Sequence, residues 1–144
     1  MLHRMVMAAK TKIDLGKNAL KGELGSILSC CMKHSVDGRM TGGLVWHSGY
    51  LLEVIEGERD TLRRFFDLVS SDSRISDLEL IEFVPIRQRD YETWRVGSPK
   101  RRLRAQLVRD VAMGRATASA VRKFVADVLD RNAKASSPPI VMAA

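Results

Sequence analysis

The chain has little of what staples, anchors or catalyses. Its 144 residues hold two cysteines, Cys30 and Cys31, which are sequence neighbours. Adjacent side chains on a helix diverge by about 100°, so a bridge between them would be strained. Both are expected to be small buried hydrophobes of a reducing compartment. No apolar run approaches the ~20 residues of a membrane helix; the longest candidate is Ile27 to Met32. The opening Met1-Leu2-His3-Arg4 lacks the apolar core of a secretory signal. His3, His34 and His47 have no metal-ligand spacing with the cysteines. A nucleophile paired with a base, a phosphate loop and a glycine-rich dinucleotide turn are all missing, which predicts no enzymatic activity. Internal repeats and low-complexity tracts are missing too. These absences leave a cytoplasmic, membrane-free protein as the expectation.

What is present is unevenly placed. Residues 100–144 carry ten Lys or Arg and three acids, whereas the first 99 residues carry fourteen of each. All of the net charge of +7 therefore sits in the C-terminal third. The body is neutral and its extension is basic.

The apolar pattern gives the fold class. Leu2 to Ala8 reads as a strand, followed by a polar stretch from Lys10 to Asn18. Leu20, Leu24, Ile27, Leu28 and Cys31 recur at helical spacing, although Gly22 and Gly25 weaken that helix. Met40 to Trp46 and Tyr50 to Glu56 predict a tight hairpin. Leu62, Phe65, Phe66 and Val69 form the stripe of a second helix behind an acidic first turn. Leu78 to Val84 predicts a fourth strand and Thr93 to Val96 a short fifth. The order βαββαβ(β) is the ferredoxin-like α+β pattern, with two helices on one face of the sheet. Beyond Gly97, Leu103, Leu107, Val108 and Val111 mark one more helix, stopped near Gly114. Val121, Phe124, Val125, Val128 and Leu129 mark another. This pair is the natural cover for the face the first two helices leave bare. The expected organisation is a ferredoxin-like domain over 1–97, a helical extension over 98–135 and a disordered tail over 136–144.

Met40-Thr41-Gly42-Gly43-Leu44-Val45-Trp46, then Gly49-Tyr50-Leu51-Leu52-Glu53-Val54-Ile55-Glu56-Gly57, resembles the core signature of BLUF domains. That family's pattern is roughly Ile-Thr-Gly-Leu-Leu, a turn, then Gly-x-Phe-Leu-Gln-x-Leu-Glu-Gly. Arg89-Asp90-Tyr91-Glu92-Thr93-Trp94 looks like its Arg-x-Phe-x-x-Trp stretch. The resemblance covers residues 2 to 97. It implies a flavin held between the first two helices, and a light response that depends on a Tyr in the first strand and a Gln in the third. One or two Asn at the end of the first helix take part, and a Met or Trp on the last strand assists.

At those positions this chain has Met7 for the Tyr, Glu53 for the Gln, His34 and Ser35 for the Asn pair, and Val96 for the Met; Trp94 is kept. A thioether cannot supply an electron and a proton to an excited flavin. An ionised Glu53 would be unfavourable beside a ring that becomes electron-rich on reduction, and a protonated one would need burial to raise its pKa. The departures predict loss of the normal photocycle and a pocket without cofactor. Bound FAD is the alternative, held by His34, Ser35 and the faces Leu24 to Leu28 and Leu62 to Phe66. Glu53 itself reads two ways, as a buried acid, alone or paired with an arginine, or as a strand-edge carboxylate reaching solvent.

The family resemblance implies that signals leave through the last strand and the C-terminal helices. With the basic extension, that predicts a regulatory module whose surface around Trp94, Arg101, Arg102 and Arg104 docks an acidic protein partner or a second copy of the chain. Nucleic-acid binding through the same basic helices is the weaker alternative, since the cluster has no interleaved aromatics and no helix-turn-helix signature.

Overall fold

The computed structural model describes residues 1–11, 40–47, 49–99 and 105–134. Five strands form one sheet: β1 (Leu2–Thr11), β2 (Thr41–His47), β3 (Tyr50–Glu58), β4 (Ile75–Pro85) and β5 (Trp94–Gly97). Their order is β4-β1-β3-β2-β5. β3 runs antiparallel to both β1 and β2, so β1 and β2 are parallel with β3 inserted between them. β4 is antiparallel to β1 on the other side, which makes the second interleaved crossover. β5 adds to β2 in parallel. This is the ferredoxin-like arrangement extended by one edge strand.

Helix α1 (Arg59–Ser70) follows β3 directly and buries Thr61, Leu62, Phe65 and Val69. Its stripe joins Met5, Met7, Leu44, Leu51, Ile55 and Trp94 in one core on the first face of the sheet. Helices α2 (Ala105–Ala112) and α3 (Ala118–Lys134) follow β5. Val111 of α2 and Val121, Val125, Val128 and Leu129 of α3 close over Val6, Ala8, Val45, Leu52 and Val54 on the second face. Alternate residues of each strand thus feed opposite cores, as the two-residue period of a strand demands. Each fully buried Val or Leu contributes roughly 1.5–3 kcal/mol, so both layers are needed.

Three boundaries differ from the sequence reading. β1 continues through Lys10 and Thr11 instead of giving way to a polar stretch. Lys10 finds a place opposite Tyr50, and the Thr11 amide donates to the Gly49 carbonyl at 2.9 Å. β4 begins at Ile75, ahead of its apolar run, because Thr11 and Lys10 offer it partners. β3 runs two residues past Glu56, pairing Gly57 and Glu58 with His3 and Leu2. The expected first helix, with Cys30 and Cys31, and the expected tail lie outside the described residues. Among the described residues no helix is long and apolar enough to cross a membrane, and no cluster of His, Cys, Asp or Glu could hold a metal ion.

Candidate functional site

The register brings two of the substituted positions face to face. Met7 of β1 is the Cα partner of Glu53 of β3, Glu53 is opposite Leu44 of β2, and Leu44 is opposite Val96 of β5. One row across the first face therefore reads Met7, Glu53, Leu44, Val96. In the next row Ile55, Gly42 and Trp94 align. Strand alternation puts Glu53 on the face of Leu51 and Ile55, beneath the layer that contains Leu62 and Phe65 of α1.

Glu53 is 8 % exposed, and its Oε2 is buried without a hydrogen-bond partner among the described residues. The reading as a carboxylate reaching solvent is thereby overturned. No pairing with an arginine is found among the described residues either, since the strands flanking Glu53 present a thioether and aliphatic chains. Burial pushes the carboxyl up to about 8, because water no longer solvates the anion and no described cation replaces it. Near neutral pH the group is a carboxylic acid.

Trp94 is the second polar group left bare on this face. Its ring is 2 % exposed and tilted at 50° to Phe65, with centroids 6.4 Å apart, and its Nε1 has no hydrogen-bond partner among the described residues. An indole this deep offers no surface for docking, which corrects the expectation that Trp94 contacts a partner directly. Arg101, Arg102 and Arg104, expected beside it, lie outside the described residues, as do His34 and Ser35.

Sequence reasoning missed the device that holds β5 in place. Glu56 is fully buried on the second face. Its Oε1 accepts the Asp90 and Tyr91 amides at 2.9 Å each, and its Oε2 accepts the Asp90 amide at 3.0 Å. Arg89 Nη1 donates to the Thr41 hydroxyl at 2.8 Å and to the Glu56 carbonyl at 2.9 Å. The Glu-Gly end of β3, the Thr at the head of β2 and the Arg of the Arg-x-Tyr stretch thus form one clamp. Hydrogen bonds to a charged group are worth about 1.5–3 kcal/mol each, enough to fix the segment that delivers Trp94. The signal was in the sequence: an acid at the end of an apolar strand and an arginine before an aromatic are both costly unless they meet.

Gly43 performs a related task on the second face. A Cβ there would lie 2.5 Å from Leu129 Cδ1 and 3.0 Å from Val125 Cγ1, so α3 rests directly on the β2 backbone. Arg95, next to Trp94 but pointing the other way, donates to the Leu129 carbonyl at 2.7 Å and lies 3.5 Å from Asp130.

The flavin that the sequence resemblance implies can be tested against these groups. A flavin edge presents hydrogen-bond acceptors and a donor between apolar ring faces. The neutral Glu53 carboxyl offers one donor and acceptor capacity, as an amide does, and the Trp94 Nε1–H offers a second donor. Leu62 and Phe65 supply apolar wall. Two buried polar atoms without partners on one face are what a polar ligand edge would satisfy. The donor set fits a flavin; Met7 does not fit the role of electron and proton source.

Comparison with known proteins establishes the fold and the family. No curated protein matches the chain. Among solved structures it is similar to BlsA in its photo-activated state, with a TM-score of 0.67 and 16 % identity over 99 % of this chain and 100 % of that one. It is also similar to the dark state of BlrB, "a BLUF protein", with a TM-score of 0.60 and 21 % identity, covering 94 % and 97 % of the two chains. A bacterial light-regulated adenylyl cyclase matches with a TM-score of 0.61 at 16 % identity; 96 % of this chain is covered, and it spans 37 % of the cyclase. At these identities the structures speak for the fold. The family follows from the sequence model for BLUF, "Sensors of blue-light using FAD", which matches residues 2–97. The chain belongs to the BLUF family.

Proposed function

We propose that this chain is a regulatory module of the BLUF family that keeps a flavin-holding face, has lost the family's normal photocycle, and signals through protein contacts. The observation that carries the reading is the Met7–Glu53 pair at the centre of the first face. Where the sequence resemblance implies a phenol and an amide, the chain has a group with no proton to give and a buried acid.

Bound there, FAD would supply absorption of blue light and redox chemistry. The chain's own contribution is to bind and to exclude water. Glu53 and Trp94 offer hydrogen-bond donors, and Phe65 and Leu62 wall off solvent. Met7 removes the exchangeable proton that a hydrogen-bond switch between β1 and β3 requires. The expectation of a pocket without cofactor gains no support from the family, whose description names FAD; the two bare polar atoms favour an occupied one.

Output through protein contacts is supported by the placement of charge. Arg109 of α2, Arg115 in the connection after it and Lys123 of α3 are exposed and continue the basic third of the chain. An acidic partner, or a second copy, is the complement such a surface attracts, with association rates that fall as salt rises.

An absorption spectrum of the purified chain before and after blue illumination tests the reading. A flavin band without a reversible red shift supports it. A reversible red shift overturns the loss of the photocycle, and a colourless protein that takes up no added FAD overturns the flavin-holding face.

A further inference from the structure

We infer that the Glu53 carboxyl is a proton-operated gate on the first face: as the acid it donates to an acceptor on a bound flavin ring, and as the carboxylate it expels the ring. The inference rests on the flavin-holding reading and adds to it a property that a glutamine at this position could not have.

Geometry is the first support. Glu53 is more than nine-tenths buried and its Oε2 is bare. From β1 it faces Met7, and from β2 Leu44, with Val96 of β5 beyond. Along its own strand it is flanked on that face by Leu51 and Ile55. From α1 the buried side chains are Thr61, Leu62, Phe65 and Val69, while Arg59, Asp60, Arg63, Arg64 and Asp67 are exposed. No charged group faces Glu53 from the described elements. An anion placed in that row meets no counter-ion among the described residues, and burial strips it of solvation. The neutral acid leaves only one hydrogen bond unmade, a smaller penalty than an unpaired buried charge.

The second bare atom indicates where the missing partner belongs. Trp94 Nε1–H is a pure donor on the same face, two strands from Glu53 and one row along. A ligand that accepts from both would satisfy both at once. A flavin edge, with carbonyl oxygens flanking ring nitrogens, presents acceptors in series. Once Glu53 ionises, its oxygens can only accept, and they oppose the ring's acceptors. An attractive contact becomes a repulsive one with the loss of a single proton. The carboxyl's rise to about 8 through burial places that change just above neutrality.

The test uses the full chain and FAD as the probe. FAD affinity, read by quenching of flavin fluorescence between pH 6 and pH 10, is expected to be flat below about pH 8 and to weaken by about tenfold per pH unit above it. Glu53→Gln is expected to bind FAD with one affinity throughout, which separates Glu53 from every other group titrating in that range. Carbon NMR of labelled glutamate in the ligand-free wild-type chain is expected to show one carboxyl titrating near pH 8, independently of any variant's folding. FAD binding with equal affinity across the range in the wild type, or all carboxyls titrating in the ordinary range, overturns the gate while leaving the flavin-holding face standing. No FAD binding at any pH overturns both.

Discussion

Glu53 and Val54 are neighbours on β3, yet their side chains enter opposite environments. Val54 points into a layer where aliphatic chains from β1, β2, α2 and α3 interlock, and where the buried acid, Glu56, has its oxygens occupied by backbone amides. Glu53 points into a layer where an acid oxygen and an indole nitrogen have no described partner. Among the described residues, therefore, the buried acid of one face is satisfied by its own chain and that of the other has an oxygen without a partner. Buried polar groups in folded proteins are nearly always satisfied, and among the described residues both exceptions lie on the first face.

The largest effect should come from Gly42, which packs against the backbone of β3. At Gly42 a Cβ would lie inside contact distance of the Val54 carbonyl oxygen, which is backbone and cannot rotate away. Gly42→Ala is expected to destabilise by about 3 kcal/mol or more, read as a collapse of the thermal melting temperature that is the same at every pH.

Glu53→Gln should act in the opposite direction and depend on pH. The folded-state carboxyl titrates near 8 and the unfolded one near 4.5. Between those values the folded chain holds a proton that the unfolded chain has released. Wild-type stability therefore falls as pH rises through the window, by roughly 1.4 kcal/mol per unit. The glutamine variant escapes this loss. It is expected to exceed wild type by about 3 kcal/mol at pH 7, with the gain vanishing below pH 4.5, measured by urea unfolding at several pH values. A constant difference would mean that Glu53 is ionised in the folded state and the contrast between faces is wrong.

Gly43→Ala sharpens the contrast from the structural side. Its Cβ meets the ends of Leu129 and Val125, which can shift, so a loss of about 1–3 kcal/mol is expected, independent of pH. It should appear as faster amide exchange in α3, with α1 unaffected. Arg95→Met removes one charge-assisted bond to Leu129 and a long ion pair to a largely exposed Asp130. An effect near 1 kcal/mol is expected, again confined to α3.

The strands were legible in the sequence as short apolar runs bounded by turn residues, because burial of Met5, Met7, Leu51 and Ile55 on one face and Val6, Ala8, Leu52 and Val54 on the other makes the runs nearly continuous. The covering role of the C-terminal helices followed from a sheet that otherwise leaves one face bare. Strand ends were less legible: Lys10, Thr11 and Ile75 pair because a neighbour offers backbone partners, and no side-chain pattern encodes that. Glu53 was ambiguous for a related reason. A carboxylate in an apolar strand is equally consistent with a buried acid and an exposed edge until register places it beside Met7 in the middle of the sheet. Trp94 was read as a surface contact because aromatic character alone does not say which way a short edge strand faces. The Glu56–Arg89 clamp joins residues 33 positions apart, a distance that a reading by local motif does not bridge.

β5 has only four residues, and two adjacent ones hold opposite layers: Trp94 sits under Phe65, and Arg95 grips the last turns of α3. A slip of one position along β2 would drive a guanidinium into oil and turn an indole toward a helix carbonyl. The strand is thereby denied gradual sliding. It can stay, jump by two positions, or lift away, and each of these alters both layers together.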